Sequence, residues 1–117
     1  MISQFSVAEV KLVASPSTLT EIPTEFELRQ NYPNPFNNST EVQYSLPSDA
    51  IIDLSVYNVL GQRLTVLVDG EQSAGTYSVR WNALEVPSGV YYCALRAREP
   101  ENGSVQFHFV RRMVLMK

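Results

Sequence analysis

The sequence predicts an all-β domain, an antiparallel sandwich of about seven strands. Three observations lead to this prediction. Apolar and polar residues alternate with a period of two in several short runs, and segments rich in Gly, Pro, Asn and Asp separate these runs. No segment shows a convincing helical period. Half-buried strands joined by tight turns explain this pattern, whereas amphipathic helices do not.

The front of the chain predicts a linker that leads into the domain. Residues 6–13 contain a few apolar residues that fit a short strand, such as the end of a preceding unit. Residues 15–24 contain two prolines and little that is apolar, which is typical of an extended linker. We therefore predict that residues 1–25 are a linker and the tail of an upstream region, and that the compact domain covers residues 26–117.

The sequence pattern of residues 26–117 predicts a series of strands. After a first alternating run near residues 26–28, strands are expected at residues 40–46, 52–57, 64–68, 76–81, 91–96 and 105–116. Gly61 and the Asn102–Gly103 pair mark hairpin turns. The alternation breaks near Arg111, which predicts a bulge or a strand buried on both faces. The expected core is Val42, Tyr44, Leu54, Val56, Leu64, Val66, Tyr77, Val79, Trp81, Tyr91, Cys93, Leu95 and Phe109.

A proline-rich loop precedes the first long strand. Pro33 and Pro35 alternate with asparagines between two aromatic residues, Tyr32 and Phe36. The prolines exclude a helix and a central strand, and short asparagine amides favour a tight turn. The aromatic side chains need a surface to bury against. The segment predicts a rigid entry into the β domain. A more specific hypothesis is that a receptor recognises this segment as a targeting signal.

Length and composition narrow the class of protein. The 117 residues, 44% of them hydrophobic, are enough for one domain with a core. The net charge of −3 argues against general nucleic-acid binding. No run is long and apolar enough to span a bilayer. Residues 1–13 lack the basic start and apolar core of a signal peptide, so an exported chain would need an export signal upstream.

No arrangement of residues in the sequence points to catalysis. Cys93 is the single cysteine and cannot form an internal disulfide. It has no neighbouring histidine to activate it, and its inward strand position predicts a small apolar filler. His108 is the only histidine and has no companion for a metal site. Phosphate-binding glycine loops and serine elbows are also missing. We therefore predict a protein that is not an enzyme, with no catalytic residues, cofactor or metal.

Aromatic residues are the remaining candidates for ligand binding. Trp81 and Tyr77 fall on the apolar side of their strand, which favours core packing. Tyr57 and Tyr92 point to the other face of their strands and are better candidates for a surface platform. A non-catalytic carbohydrate-binding or adhesive module is therefore one hypothesis for the function.

Several short motifs together resemble a known family. They occur in this order at residues 28–37, 57–62, 75–77, 88–92 and 112–117. In order and spacing they resemble the C-terminal sorting domain of type IX secretion cargo (the Por secretion system, type A form) of Bacteroidetes. The resemblance covers residues 26–117. Asn38 stands where the family usually has proline, and Arg112 stands where it usually has lysine.

The resemblance implies a fold and a function. The fold would be an immunoglobulin-like sandwich, similar to that of the flagellar hook-capping protein. The domain would follow a secreted enzyme or adhesin whose signal peptide takes it across the inner membrane. The outer-membrane type IX translocon would then recognise the domain. A sortase-type protease at the cell surface would cleave before it, and the cargo would be released or joined to anionic lipopolysaccharide, and so be secreted or held at the surface.

Two segments are expected to carry translocon recognition. The linker at residues 15–24 would present cleavable backbone, and the last strand would offer an unpaired edge for strand addition. A spacer without a recognition role is a third hypothesis beside sorting and carbohydrate binding. The candidate recognition residues are Asn31, Tyr32, Pro33, Asn34, Pro35, Phe36, Arg112, Met113, Val114, Leu115, Met116 and Lys117.

Overall fold

The computed structural model describes residues 10–13 and 22–117 of the chain. These residues contain no helix and form eight strands. The strands are β1 (Val10–Val13), β2 (Glu27–Leu28), β3 (Ser39–Leu46), β4 (Ala50–Tyr57), β5 (Arg63–Gln72), β6 (Gly75–Asn82), β7 (Gly89–Arg98) and β8 (Val105–Leu115).

The strands form two antiparallel sheets, which confirms the predicted sandwich. One sheet has the order β1-β6-β3-β2 and the other the order β5-β4-β7-β8. Gly61 has φ of +81° and closes the hairpin between β4 and β5, where the Asn58 side chain accepts hydrogen bonds from the amides of Leu60 and Gln62. Gly103, at φ +74°, lies in the turn between β7 and β8. Both turns occur where the sequence predicts them.

The core lies between the two sheets, as the alternation predicts. In β4 the inward side chains at even positions are fully buried, and in β7 those at odd positions are. Trp81 is buried and packs edge-on against Tyr91, with ring centroids 5.5 Å apart. The core contains most of the predicted residues and also Leu28, Phe36, Leu46, Ala50, Ile52, Leu67, Val68, Ala83, Ala97, Met113 and Leu115.

Part of the predicted core is wrong. Leu64 is exposed and Val66 is only half-buried, while Leu67 and Val68 are buried instead. The reason is the irregular pairing of β4 with β5, which has register shifts after Leu54 and after Val56. Each shift moves the inward position along β5 by one residue.

The end of β8 also differs from the prediction. Its pairing with β7 is continuous past Arg111, and the register shift lies instead near Val105, opposite Arg98. Phe109 is 41% exposed because the short β2 leaves this corner of the sandwich open. Tyr77 is half-buried and stacks on Tyr44 at 5.5 Å.

The short strand expected within residues 6–13 is present as β1. Val10–Val13 pairs with β6, with Val10 opposite Val79 and Val13 opposite Thr76. Residues 1–9 and 14–21, which hold most of the predicted linker, lie outside the described residues. The domain boundary near residue 26 therefore stays a prediction.

Candidate recognition surface

The loop at residues 31–36, called the Asn-Pro loop below, is held together by buried polar groups. Asn31 is 3% exposed, and its amide donates to the Pro33 carbonyl at 3.1 Å and to Thr40 Oγ1 at 2.9 Å. The Thr40 hydroxyl in turn donates to the same Pro33 carbonyl. Buried polar groups that find partners give a loop a defined shape. The predicted role of an asparagine amide in holding the turn is thus confirmed.

The first half of the loop is also tied to strand β3. The backbone N–H of Tyr32 donates to the Glu41 carbonyl at 3.0 Å, and the Glu41 N–H donates back at 2.9 Å. The peptide bonds before Pro33 and Pro35 are both cis. Tyr32 itself is 80% exposed. The prediction that its ring needs a surface to bury against is wrong, because the ring is exposed while the backbone of the residue is paired with Glu41.

Phe36 joins the loop to the core. Its side chain is 2% exposed, and its ring lies 5.6 Å from the Trp81 ring in a tilted arrangement. Tilted aromatic pairs at this separation contribute about 0.5–1.5 kcal/mol beyond their burial. The far end of the Asn-Pro loop is therefore fixed in the sandwich.

The Asn-Pro loop pairs with the last strand of the chain. The Phe36 N–H donates to the Val114 carbonyl at 2.9 Å, and the Met116 N–H donates to the Phe36 carbonyl at 2.8 Å. The Asn34 side-chain oxygen accepts a hydrogen bond from the Val114 N–H at 3.0 Å. The two predicted recognition segments, far apart in sequence, are thus joined side by side.

Two residues that the sequence reasoning missed complete this junction. The Gln30 amide donates to the Arg112 carbonyl at 2.7 Å, and Arg111 Nε donates to the Leu28 carbonyl at 2.8 Å. The second bond joins β8 to β2 of the other sheet, and the first joins β8 to the residue just before the Asn-Pro loop. Their only sequence signal is position, because each residue flanks a predicted recognition segment.

These contacts correct the expectation of an open edge on the last strand. The backbone groups along the free edge at the end of β8 are the Arg112 carbonyl, both groups of Val114 and, just after the strand, the Met116 amide. All of them are bonded to residues 30–36. Strand addition at this end of β8 is therefore blocked while the loop is in place.

We call residues 31–36 together with residues 112–117 the terminal patch. Its exposed side chains are Tyr32, Pro33, Asn34, Pro35, Arg112, Met116 and Lys117. Val114 is half-buried. The other predicted recognition residues are buried, namely Asn31, Phe36, Met113 and Leu115. Those four support the patch and cannot contact a partner directly.

The chain end is fixed by the loop between β6 and β7. The Lys117 amide donates to Ser88 Oγ at 2.9 Å, and Lys117 Nζ donates to the Leu84 carbonyl at 2.9 Å. Arg112 has no ion pair among the salt bridges of residues 22–117. Its guanidinium is exposed and available to a partner.

Cys93 and His108, the two side chains that the sequence raised as candidates for chemistry, lie in different environments. Cys93 is buried, and burial raises the pKa of its thiol to about 12. His108 is exposed on β8. Among residues 10–13 and 22–117, no three His, Cys, Asp or Glu side chains lie close enough to hold a metal ion. The prediction that the chain has no catalytic activity stays a prediction.

The predicted faces of Trp81, Tyr57 and Tyr92 are confirmed. Trp81 is in the core. Tyr57 and Tyr92 are direct cross-strand partners on β4 and β7, on the outer face of their sheet. Both are half-buried.

Comparison with known proteins identifies a family. The family model of the secretion system C-terminal sorting domain matches residues 30–106, which is more than half of the chain. This match includes the Asn-Pro loop and ends before residues 112–117. No curated protein sequence matches the chain. In the part of the chain that the structure describes, no helix has the length and apolar character needed to cross a membrane.

Proposed function

Because this chain belongs to the family of secretion system C-terminal sorting domains of type IX secretion, we propose that it directs an upstream cargo protein across the outer membrane. The type IX translocon recognises the domain, and the attached cargo then reaches the cell surface or the medium. A surface protease of the sortase type then cleaves before the domain, within residues 15–24. The domain itself carries out no reaction.

The terminal patch is the surface that we propose the translocon reads. The observation that supports it is the pairing of Phe36 with Val114 and Met116, which joins the two segments into one surface. Hydrogen bonds at several points hold this surface rigid, and a rigid surface loses little conformational entropy when it binds. Arg112 supplies an exposed side chain that joins no salt bridge among residues 22–117, and Tyr32 supplies a large exposed ring.

The experiment is a reporter fusion in a bacterium with a type IX system. The chain follows a signal peptide and a fluorescent reporter, and the reporter is measured in the periplasm, at the surface and in the medium. The double variant Arg112→Glu with Lys117→Glu reverses the exposed charges of the patch. We expect this variant to retain the reporter in the periplasm. Tyr32→Ala is expected to weaken export in the same direction.

Two controls separate recognition from folding. Arg98→Glu reverses the charge of a half-buried residue at the far end of the β7–β8 pair, where it is the partner of Val105, and Leu60→Ala truncates a side chain that is 78% exposed at a distant hairpin. Substitutions of exposed side chains usually change stability by about 0.5 kcal/mol or less, which thermal melts of each purified variant will check. Export that survives in the folded patch variants would exclude the patch as the signal.

A deletion variant tests the sorting function itself. Removing residues 112–117 takes away Met113 and Leu115, which are buried, so this variant is expected both to unfold and to lose export. If the intact chain does not export the reporter at all, the sorting function is wrong. The family match offers no support to a carbohydrate-binding or adhesive module as the main role of the chain.

A further inference from the structure

A groove of about 670 Å³ lies on the outer face of the sheet β5-β4-β7-β8, and it borders the terminal patch because Tyr92 in its lining is the register partner of Arg112. This volume is in the range of small-molecule sites. Ala94 lies between Tyr92 and Arg96 on the outer face of β7, and its small side chain leaves the depression between them. None of the residues that line the groove belongs to the terminal patch.

Two tyrosine rings form one side of the groove. Tyr57 and Tyr92 face each other across β4 and β7 as register partners. The Arg63 guanidinium lies 5.8 Å from the centre of the Tyr57 ring and donates to the Tyr57 hydroxyl at 3.2 Å. Arg63 therefore holds Tyr57 in place. Neighbouring tyrosines offer apolar ring surface with polar hydroxyl tips, which suits a ring that is apolar on its faces and polar at its edge.

Charged groups form the opposite side. The Asp53 carboxylate accepts hydrogen bonds from the Ser55 hydroxyl at 2.6 Å and from Arg63 at 3.3 Å. Arg96 is the register partner of Asp53, yet no salt bridge among residues 22–117 includes it. With Asp53 engaged by its other neighbours, the exposed Arg96 has its donors free. A free guanidinium pairs well with a carboxylate or a phosphate.

From this arrangement we infer that the groove binds an anionic saccharide, with a sugar ring on Tyr57 and Tyr92 and a carboxylate or phosphate group on Arg96. Asp53 and His108 supply further groups that can bond to sugar hydroxyls. An extended peptide fits this site less well. Both β4 and β7 are paired on both sides, so their backbone cannot accept an added strand. The inference stands independently of the sorting function.

The test is a titration of the 117-residue chain with defined probes, in which the amide chemical shifts are monitored by NMR. Trigalacturonate and glucose 6-phosphate carry the two anionic groups, maltotriose is the neutral control, and tetraglutamate represents an acidic peptide. We expect saturable binding of at least one anionic sugar below about 10 mM, with shifts confined to β4, β7 and the groove end of β8. Added salt should weaken this binding. The probe that binds distinguishes a carboxylate from a phosphate.

Variants localise the binding. Arg96→Gln and Tyr92→Leu should each weaken the preferred sugar by about tenfold. The matched controls Arg80→Gln and Tyr32→Leu, on exposed residues outside the groove, should leave it unchanged. If a variant unfolds, the chemical-shift changes of the wild-type chain still show which residues bind the sugar. The inference is overturned if neither anionic sugar binds, if maltotriose binds equally well, if tetraglutamate binds more tightly, or if the shifts lie outside the groove.

Discussion

Phe36 is the residue through which the stability of the terminal patch can be measured. Its ring is 2% exposed and lies against Trp81, so Phe36→Ala removes a core side chain and leaves a cavity. Truncations of this kind cost about 3–5 kcal/mol. Domains have a total stability of about 5–15 kcal/mol, so the variant should remain folded but with a small margin.

Urea denaturation followed by Trp fluorescence measures this loss. Trp81 is the only tryptophan of the chain and contacts the substituted ring. With a slope of about 2 kcal/mol per molar urea, the midpoint should fall by roughly 2 M. Hydrogen exchange adds a local measurement, because the Met116 amide donates to the Phe36 carbonyl and should lose protection as the Asn-Pro loop loosens.

Tyr32→Ala is the matched control within the same loop. Tyr32 is 80% exposed, so its removal should change the free energy of unfolding by about 0.5 kcal/mol or less. If Phe36→Ala costs less than about 1 kcal/mol, or no more than Tyr32→Ala, the loop does not depend on its contact with the core. The account of the patch as a rigid surface would then be wrong.

Three further predictions concern the thiol, alkaline pH and the linker. Burial raises the pKa of Cys93 from 9.0 to about 12, which lowers its thiolate population at pH 8 by roughly a thousandfold, so a thiol reagent should react only after urea unfolds the chain; fast reaction in the native state would contradict this. Burial also raises the pKa of the Tyr44 hydroxyl. Both groups hold their protons more tightly in the folded chain, so their contribution to the free energy of unfolding is fully present below pH 9 and should fall as pH rises toward 12. Thermal melts at stepped pH will measure this fall. A stability that does not change over this pH range would be inconsistent with their burial. Limited proteolysis should cut first within residues 15–24 and leave a fragment that starts near Phe26, whereas first cuts inside residues 26–117 would refute the boundary.

The period-two alternation of apolar and polar residues was sufficient to predict the sandwich and most of its core. It failed in β5, where Leu64 and Val66 were expected inside and Leu67 and Val68 are found there. A bulge changes which residues face inward, and bulges depend on how two strands pair, which a single strand's pattern does not contain. Phe109 shows the same limit, since its exposure depends on the length of β2 in the other sheet.

The candidate site was predicted as two separate segments. Each had a local signal, the prolines of the Asn-Pro loop and the basic and apolar residues at the chain end. Their pairing through Asn34, Phe36 and Val114 has no local signal, because it depends on how the sandwich closes. Asp53 illustrates the same point in the groove. In its strand it is an isolated acid, and only the fold places it beside Arg63 and Arg96.

The pairing of Asn34 with Val114 joins residues that are 80 positions apart in sequence. Contacts of such separation form only when the intervening strands are in place. A receptor that binds this surface therefore recognises a conformation and not a linear sequence. A synthetic peptide of either segment would be a poor competitor for it, and an unfolded domain would not present it at all.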